Sequence, residues 1–272
     1  MNSATLTSRY TTQAESFPRV FKCDTLWRHE QPLLDYLRSH HGQRSLNSFG
    51  GSYGWSVRYR QVEDYEALHL TTLAEYIDAF REGSLQLPYL RHLSVNRQMR
   101  DLRAHIHHPA EFTPNWVDHP WLDRFSGPEI FLGQAGTGFG NFHQDHSSVH
   151  IGFVQLEGRK QFTLYRPEDG QYLYRKPGAQ FPWQMRNSAI TLERMRDLEA
   201  YPELRKATPI TVTLNAGQAL LLPADWWHTT RNLTDSVSYS IRIINASNVG
   251  AALMRHAEGL LRMPGKLADA LG

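Results

Sequence analysis

Along the second half of the chain, hydrophobic and polar positions fall into short runs rich in β-branched and aromatic residues. Glu129–Gln134, Val149–Leu156, Gln161–Tyr165, Ile210–Leu214, Gln218–Leu222 and Ser236–Ile244 are such runs, punctuated by Gly, Pro, Asn and Asp. Strands of this length and spacing predict an antiparallel sandwich or barrel. The glycine-rich Ala135–Gly140 has no helical pattern after it and reads as a turn, not a phosphate loop. The longest interruption, Gln171–Ala207, reads as an insertion between strands, with a helical stretch at Thr191–Leu198.

The first half is patterned differently. Leu26, Trp27, Leu33, Leu34 and Leu37 recur at helical spacing within Asp24–His40, with Asp24 or Thr25 as N-cap and His41-Gly42 as the end. Thr71–Glu75 has the form of a capping box opening a helix through Phe80, closed at Gly83. Trp55–Tyr59 alternates as a strand does. Leu85–Arg91 reads as a short strand, with Pro88 marking an edge or a start. Met99–Trp121 is expected to be irregular with a short helix. Val249–Met263 is amphipathic, a helix that packs on the barrel or pairs with a second copy through Leu253, Leu260 and Leu261.

These patterns predict a polar lead-in over residues 1–16, one domain over 17–248 with a core barrel at about 85–245, and a C-terminal helix and tail over 249–272. Composition adds mainly exclusions. A net charge of +2 in 272 residues gives no electrostatic case for nucleic acid or an anionic membrane. One cysteine, Cys23, excludes an internal disulfide framework and an all-cysteine zinc site, and is expected to be a small buried residue. The sequence has neither a membrane-spanning apolar run nor a signal-peptide core at its start, so a cytoplasmic location is expected.

Candidate chemistry centres on Asn141-Phe142-His143-Gln144-Asp145. On a strand, His143 and Asp145 leave the same face. Far downstream, the apolar run Gly217–Pro223 leads through Trp226-Trp227 into His228, with the indoles expected to exclude water. Two imidazoles and one carboxylate are the facial set of non-haem Fe(II) oxygenases and leave open coordination positions. The set carries one negative charge, so bound Fe(II) leaves a unit positive charge suited to an anionic chelating co-substrate. An H-x-D tripeptide alone is common by chance; the order of the surrounding segments gives it weight.

That order resembles the JmjC and cupin-like Fe(II)- and 2-oxoglutarate-dependent oxygenases, in the hydroxylase branch that includes the asparaginyl hydroxylase acting on hypoxia-inducible factor. The resemblance rests on His143-Gln144-Asp145, on Gly158-Arg159-Lys160 followed by Leu164–Pro167, and on Ala216-Gly217-Gln218-Ala219 through His228. It implies a double-stranded β-helix, a jelly-roll barrel with flanking helices, holding the metal in its mouth. It implies Fe(II), 2-oxoglutarate and O2 as cofactors, with Lys160 and Tyr89 on the distal carboxylate of 2-oxoglutarate. Where many relatives have Thr or Ser before the first ligand, this chain has Gly140; Asn141 or Thr137 is then the substitute co-substrate contact. Arg242, on the same face of the last strand as Ser238 and Ser240, is a second candidate for the carboxylate or for an acidic substrate, since a buried arginine needs an anion.

Arg91, His146, His150, Trp183 and Trp227 are candidate substrate contacts. His105-Ile106-His107-His108 reads more readily as a solvated loop than as a second metal site. The expected substrate is a small molecule, an amino acid or a short peptide. Competing classes are a cupin-type binding or sensing protein without turnover, and a metal-dependent cupin enzyme that does not use 2-oxoglutarate.

Overall fold

In the computed structural model, which describes residues 16–46, 68–83, 85–119, 127–176 and 186–261, strands dominate. In chain order they are β1 (Arg19–Lys22), β2 (Leu90–Ser94), β3 (Glu129–Gly133), β4 (Asn141–Gln144), β5 (His150–Glu157) and β6 (Arg159–Tyr165). They continue as β7 (Arg186–Thr191), β8 (Ile210–Asn215), β9 (Gln218–Leu222), β10 (Trp227–Asn232) and β11 (Ser236–Ile243). One antiparallel sheet has the order β1-β9-β5-β11-β3-β2, the other β7-β4-β10-β6-β8. From β3 to β6 and again from β8 to β11 the chain crosses between sheets, as the jelly-roll reading expected.

Side-chain alternation explains why both sheets are stable. Val237, Tyr239, Ile241 and Ile243 of β11, with Ile130 and Leu132 of β3, pack outward against the helices. A second cluster draws on both sheets, joining Ile151, Phe162, Leu164, Leu214, Leu220 and Leu222. A third covers the outer face of the smaller sheet, where Phe142, Tyr165, Ile190 and Trp227 meet Leu173, Leu204 and Ala207. The last three belong to the Gln171–Ala207 insertion, which therefore serves as the outer cover of that sheet. The remaining interior positions of β3, β4, β6, β10 and β11 are largely polar, and these form the site.

Helices α1 (Leu33–His41) and α2 (Leu73–Glu82) pack on the larger sheet's outer face, α3 (Val95–Gln98) is one turn, and α4 (Val249–Leu261) follows the last strand. The capping box at α2 forms between Thr72 and Glu75, and Gly83 closes the helix with φ 64°, as the sequence predicts. Among the described residues, no helix is long and apolar enough to cross a membrane. Cys23 is buried and free.

Three expectations are corrected. The first helix begins at Leu33, not Asp24: Pro32 disfavours helical backbone at the residue before it. The preceding segment instead runs extended against His105–His107, with Arg28 N donating to the His105 carbonyl and His107 N to that of Leu26. The strand expected at Leu85–Arg91 starts only at Leu90. Upstream of it, the Gln134 amide accepts from Leu87 N and donates to the Leu85 carbonyl, replacing a ladder. Thr191–Leu198 is not a helix. Thr191 ends β7, and successive turns lay Leu192, Met195 and Leu198 against the outer cluster. The strand expected at Trp55–Tyr59 lies outside the described residues. Leu253 is 65% exposed, while the side chains of Leu260 and Leu261 lie outside the description.

Candidate metal centre

β4 and β10 are neighbours, and their register sets His143 directly opposite His228. Both imidazoles point inward, because Phe142 and Trp227, one residue earlier in each strand, point into the outer cluster. The two rings lie 4.2 Å apart between centroids. Asp145, just past β4, brings Oδ2 to 3.5 Å from His228 Nε2. One donor atom from each of the three residues lies within 4.8 Å of the others, close enough for a single ion to bind all three.

Hydrogen bonds fix the tautomers. His143 Nδ1 lies 3.1 Å from the Asn141 carbonyl, and His228 Nδ1 lies 3.2 Å from that of Trp226. A carbonyl only accepts, so each Nδ1 carries the proton and each Nε2 presents a lone pair. Burial above all, with His228 close by, lowers the His143 pKa to about 3, keeping it neutral at physiological pH. Burial acts to raise the Asp145 pKa, but His228, His143 and Arg242 outweigh it and hold the carboxyl below its usual range. Two lone pairs and a carboxylate therefore converge, a donor set that fits a divalent iron ion.

Deeper along the barrel, β6 pairs with β10 so that Lys160 faces Asn232 while His228 faces Leu164. Four residues of strand separate these levels, about 13 Å. Lys160 is 3% exposed, and its ammonium donates to the Tyr89 hydroxyl at 3.0 Å and to the Ser238 hydroxyl. Both partners are neutral. No carboxylate among the described residues pairs with it, and burial lowers its pKa to about 7. Burial also raises the Tyr89 pKa, so its hydroxyl keeps a proton to donate while its oxygen accepts from Lys160. Phe131 lines the same space.

Arg242 differs. It is buried, and its guanidinium lies 3.5 Å from Glu129, itself 2% exposed. The anion that a buried arginine requires is thus supplied by the chain, which distinguishes Arg242 from Lys160. The alternation that turns Ile130 and Leu132 outward turns Glu129 inward, a signal legible in the sequence but left unread.

The other candidates separate by position. Asn141 donates from its side chain to the Ser188 carbonyl of β7. His146 is half-buried beside Asp145, its Nδ1 3.0 Å from Ser147 Oγ. Arg91 lies over Phe139, whose ring in turn lies 4.4 Å from that of His143, which places Arg91 near the metal ligands. His150 bridges two loops: Ala224 N donates to its Nδ1 and its Nε2 lies 2.8 Å from Ser247 Oγ. The expectation for Trp227 is corrected. It is fully buried on the outer face of the smaller sheet, opposite in orientation to His228. Trp226 packs in the inter-sheet cluster. Trp183 lies outside the described residues. At His105–His108, the Trp27, His29, Tyr36 and His105 rings pack together, while His108 bonds Tyr239 and Asp118.

Close backbone approach fixes the turn before the ligands. Phe139 N donates to the Thr230 carbonyl of β10, and a Cβ at Gly138 would sit 1.9 Å from that oxygen. Glycine here lets the turn lie on β10 and launch Asn141 into β4.

Residues 15–244 match the cupin-like domain family. The chain is 25% identical to the chicken (Gallus gallus) "2-oxoglutarate and iron-dependent oxygenase JMJD4" over 179 residues, 64% of this chain and 40% of that protein. The human (Homo sapiens) protein of the same name is 26% identical over 186 residues, 66% of this chain and 42% of its own. Human "HSPB1-associated protein 1" is 34% identical over 129 residues, 46% of this chain and 25% of that protein. The chain thus spans less than half the length of these curated relatives. The match nonetheless runs from the first strand of the larger sheet through the last, and on that extent the chain belongs to the cupin-like domain family.

Proposed function

We propose that this protein is an Fe(II)- and 2-oxoglutarate-dependent oxygenase that hydroxylates a C–H bond of a small molecule, an amino acid or a short peptide. The observation that carries the reading is Lys160: a buried ammonium inside the barrel whose polar partners among the described residues are two neutral hydroxyls. A buried cation in this state is costly unless an anion joins it. A dicarboxylate spanning from the metal ligands toward Lys160 would supply one. A cupin enzyme working without 2-oxoglutarate has no use for that arrangement beside a His-Asp-His set, and turnover is what separates the proposal from a barrel that only binds the co-substrate.

His143, Asp145 and His228 would hold the metal; Lys160 and Tyr89 would bind the distal carboxylate. When bound, Fe(II) and 2-oxoglutarate supply O2 activation coupled to oxidative decarboxylation, releasing succinate and CO2. The chain's part is to neutralise, orient and keep the cavity dry. Arg91 and His146 are the substrate contacts favoured by position; Arg242, held by Glu129, is a wall residue. The C-terminal helix is proposed to pair two copies through the face carrying Leu253.

The test is Fe(II)-dependent conversion of 2-oxoglutarate to succinate by the wild type, measured beside His143→Ala. Succinate from the wild type alone is expected. Metal-dependent oxidation of a substrate without 2-oxoglutarate consumption would contradict the proposal.

A further inference from the structure

The two loops that carry the metal ligands into place have unusual backbones. Ser147 and Ser148, just after Asp145, have φ of 63° and 48°, and Asp225, three residues before His228, has φ of 62°. Non-glycine residues in this region persist only where their surroundings hold them. Here one side chain from the C-terminal helix meets both loops. Arg255 Nη1 lies 2.9 Å from Asp225 Oδ1 and 3.5 Å from Ser148 Oγ, and Ser148 Oγ itself donates to Asp225 Oδ1 at 3.1 Å. Asn248, which precedes the helix, donates to the Ser148 carbonyl, and His256 Nε2 lies 3.5 Å from Ser147 Oγ. Arg255, Ser148 and Asn248 are buried.

The loops are also joined directly, since the Gln144 side chain donates to the Asp225 carbonyl. The arrangement is therefore a small triangle of cation, carboxylate and hydroxyl. Its base is the pair of ligand loops and its apex a helix that begins beyond residue 244, where the family match ends. Removing the apex leaves the Asp225 carboxylate without this cation and both left-handed turns free to relax. Asp145 lies at one end of one loop and His228 at the end of the other, so relaxation spreads the donor atoms.

We propose that Arg255 is a positioning residue of the metal centre: through Asp225 and Ser148 it holds Asp145 and His228 at metal-binding separation, making metal affinity depend on the docking of α4. The inference rests on the reading of His143, Asp145 and His228 as metal ligands.

The experiment titrates Co(II) into the metal-free full chain and records its visible ligand-field bands, in wild type, Arg255→Ala, Arg255→Lys, Asp225→Asn, the double variant Arg255→Ala/Asp225→Asn, and Leu253→Ala on the exposed face of the same helix. His143→Ala is the reference for loss of a ligand. Arg255→Ala is expected to weaken Co(II) binding at least about tenfold, the scale for residues that support metal ligands, with altered bands. Arg255→Lys, which keeps the charge but not the fork, should fall between, and Leu253→Ala should match wild type. Effects of Arg255→Ala and Asp225→Asn should not multiply in the double variant, because each breaks the same triangle. Wild-type affinity and bands in Arg255→Ala would overturn the proposal, as would fully multiplicative effects. If Arg255→Ala does not fold, by circular dichroism of the metal-free chain, Arg255→Lys and Asp225→Asn decide, and wild-type binding by both overturns it. Binding by His143→Ala equal to wild type would instead strike the metal-site reading itself, and the proposal with it.

Discussion

Replacing Lys160 with methionine should make the metal-free protein more stable and its co-substrate binding far weaker. Two effects of opposite sign follow from one buried charge. The lysine pKa falls from 10.5 to about 7 in the folded chain because burial desolvates the ammonium, with no carboxylate among the described residues beside it. A shift of that size corresponds to roughly 5 kcal/mol against folding when the group is charged in both states, that is, below about pH 7. The unfolded chain binds more protons between about pH 7 and 10.5, so wild-type stability should rise with pH across that window. Methionine fills a similar volume without the charge but forfeits the contacts to Tyr89 and Ser238, about 1 kcal/mol each. Lys160→Met is then expected to stabilise the metal-free chain by about 3 kcal/mol at pH 6, with the gain falling as pH rises above 7 and giving way to a loss of about 1 kcal/mol by pH 10. Urea unfolding at both pH values reads this directly. Binding of 2-oxoglutarate, by calorimetry with a redox-inert metal, should weaken more than a hundredfold, since a carboxylate is left buried without its cation. Parallel stability curves for the two proteins from pH 6 to 10, or near-normal 2-oxoglutarate affinity in the variant, would refute the reasoning.

Because Lys160 titrates near pH 7 in the free protein and gains an anion on binding, 2-oxoglutarate should take up protons above that pH; calorimetry in buffers of differing ionisation enthalpy should show uptake growing from pH 7 to 9. Glu129→Gln removes the carboxylate that Arg242 contacts and should destabilise the protein by about 1–3 kcal/mol in urea unfolding, while Glu129→Gln/Arg242→Met should recover most of it. Gly138→Ala drives a methyl group into the Thr230 carbonyl and should lower both the thermal midpoint and metal affinity, since the displaced turn leads straight into β4. Sedimentation of Leu253→Asp against wild type tests pairing through the C-terminal helix; a monomeric wild type would contradict it.

The sequence made the barrel legible wherever alternation was clean. The interior face of β11 could be read from Ser238, Ser240 and Arg242 standing between apolar neighbours, and that face is where the structure has it. The His-x-Asp tripeptide and the distant His228 were also readable, because a two-residue spacing fixes a common face. Long-range partners were not. Nothing local to Arg242 announces Glu129, and nothing near Thr191 tells that its apolar spacing of three serves turns on the back of a sheet. Trp227 shows the same limit: beside a ligand in sequence, it lies across the sheet from it in space. Arg255 was invisible for a different reason, since its role depends on a helix docking onto two loops distant from it in the chain.

On the proposed function, the His143, Asp145 and His228 donors and the Lys160 ammonium together receive one metal-chelated 2-oxo dicarboxylate. Anaerobic titration of the Fe(II)-loaded protein with 2-oxoglutarate tests it most directly, through the visible charge-transfer band of an Fe(II)-bound 2-oxo acid. A saturable band in the wild type, absent in His228→Ala and requiring far more 2-oxoglutarate in Lys160→Met, is the predicted result. No band in the wild type, or a band of equal affinity in Lys160→Met, would contradict the account.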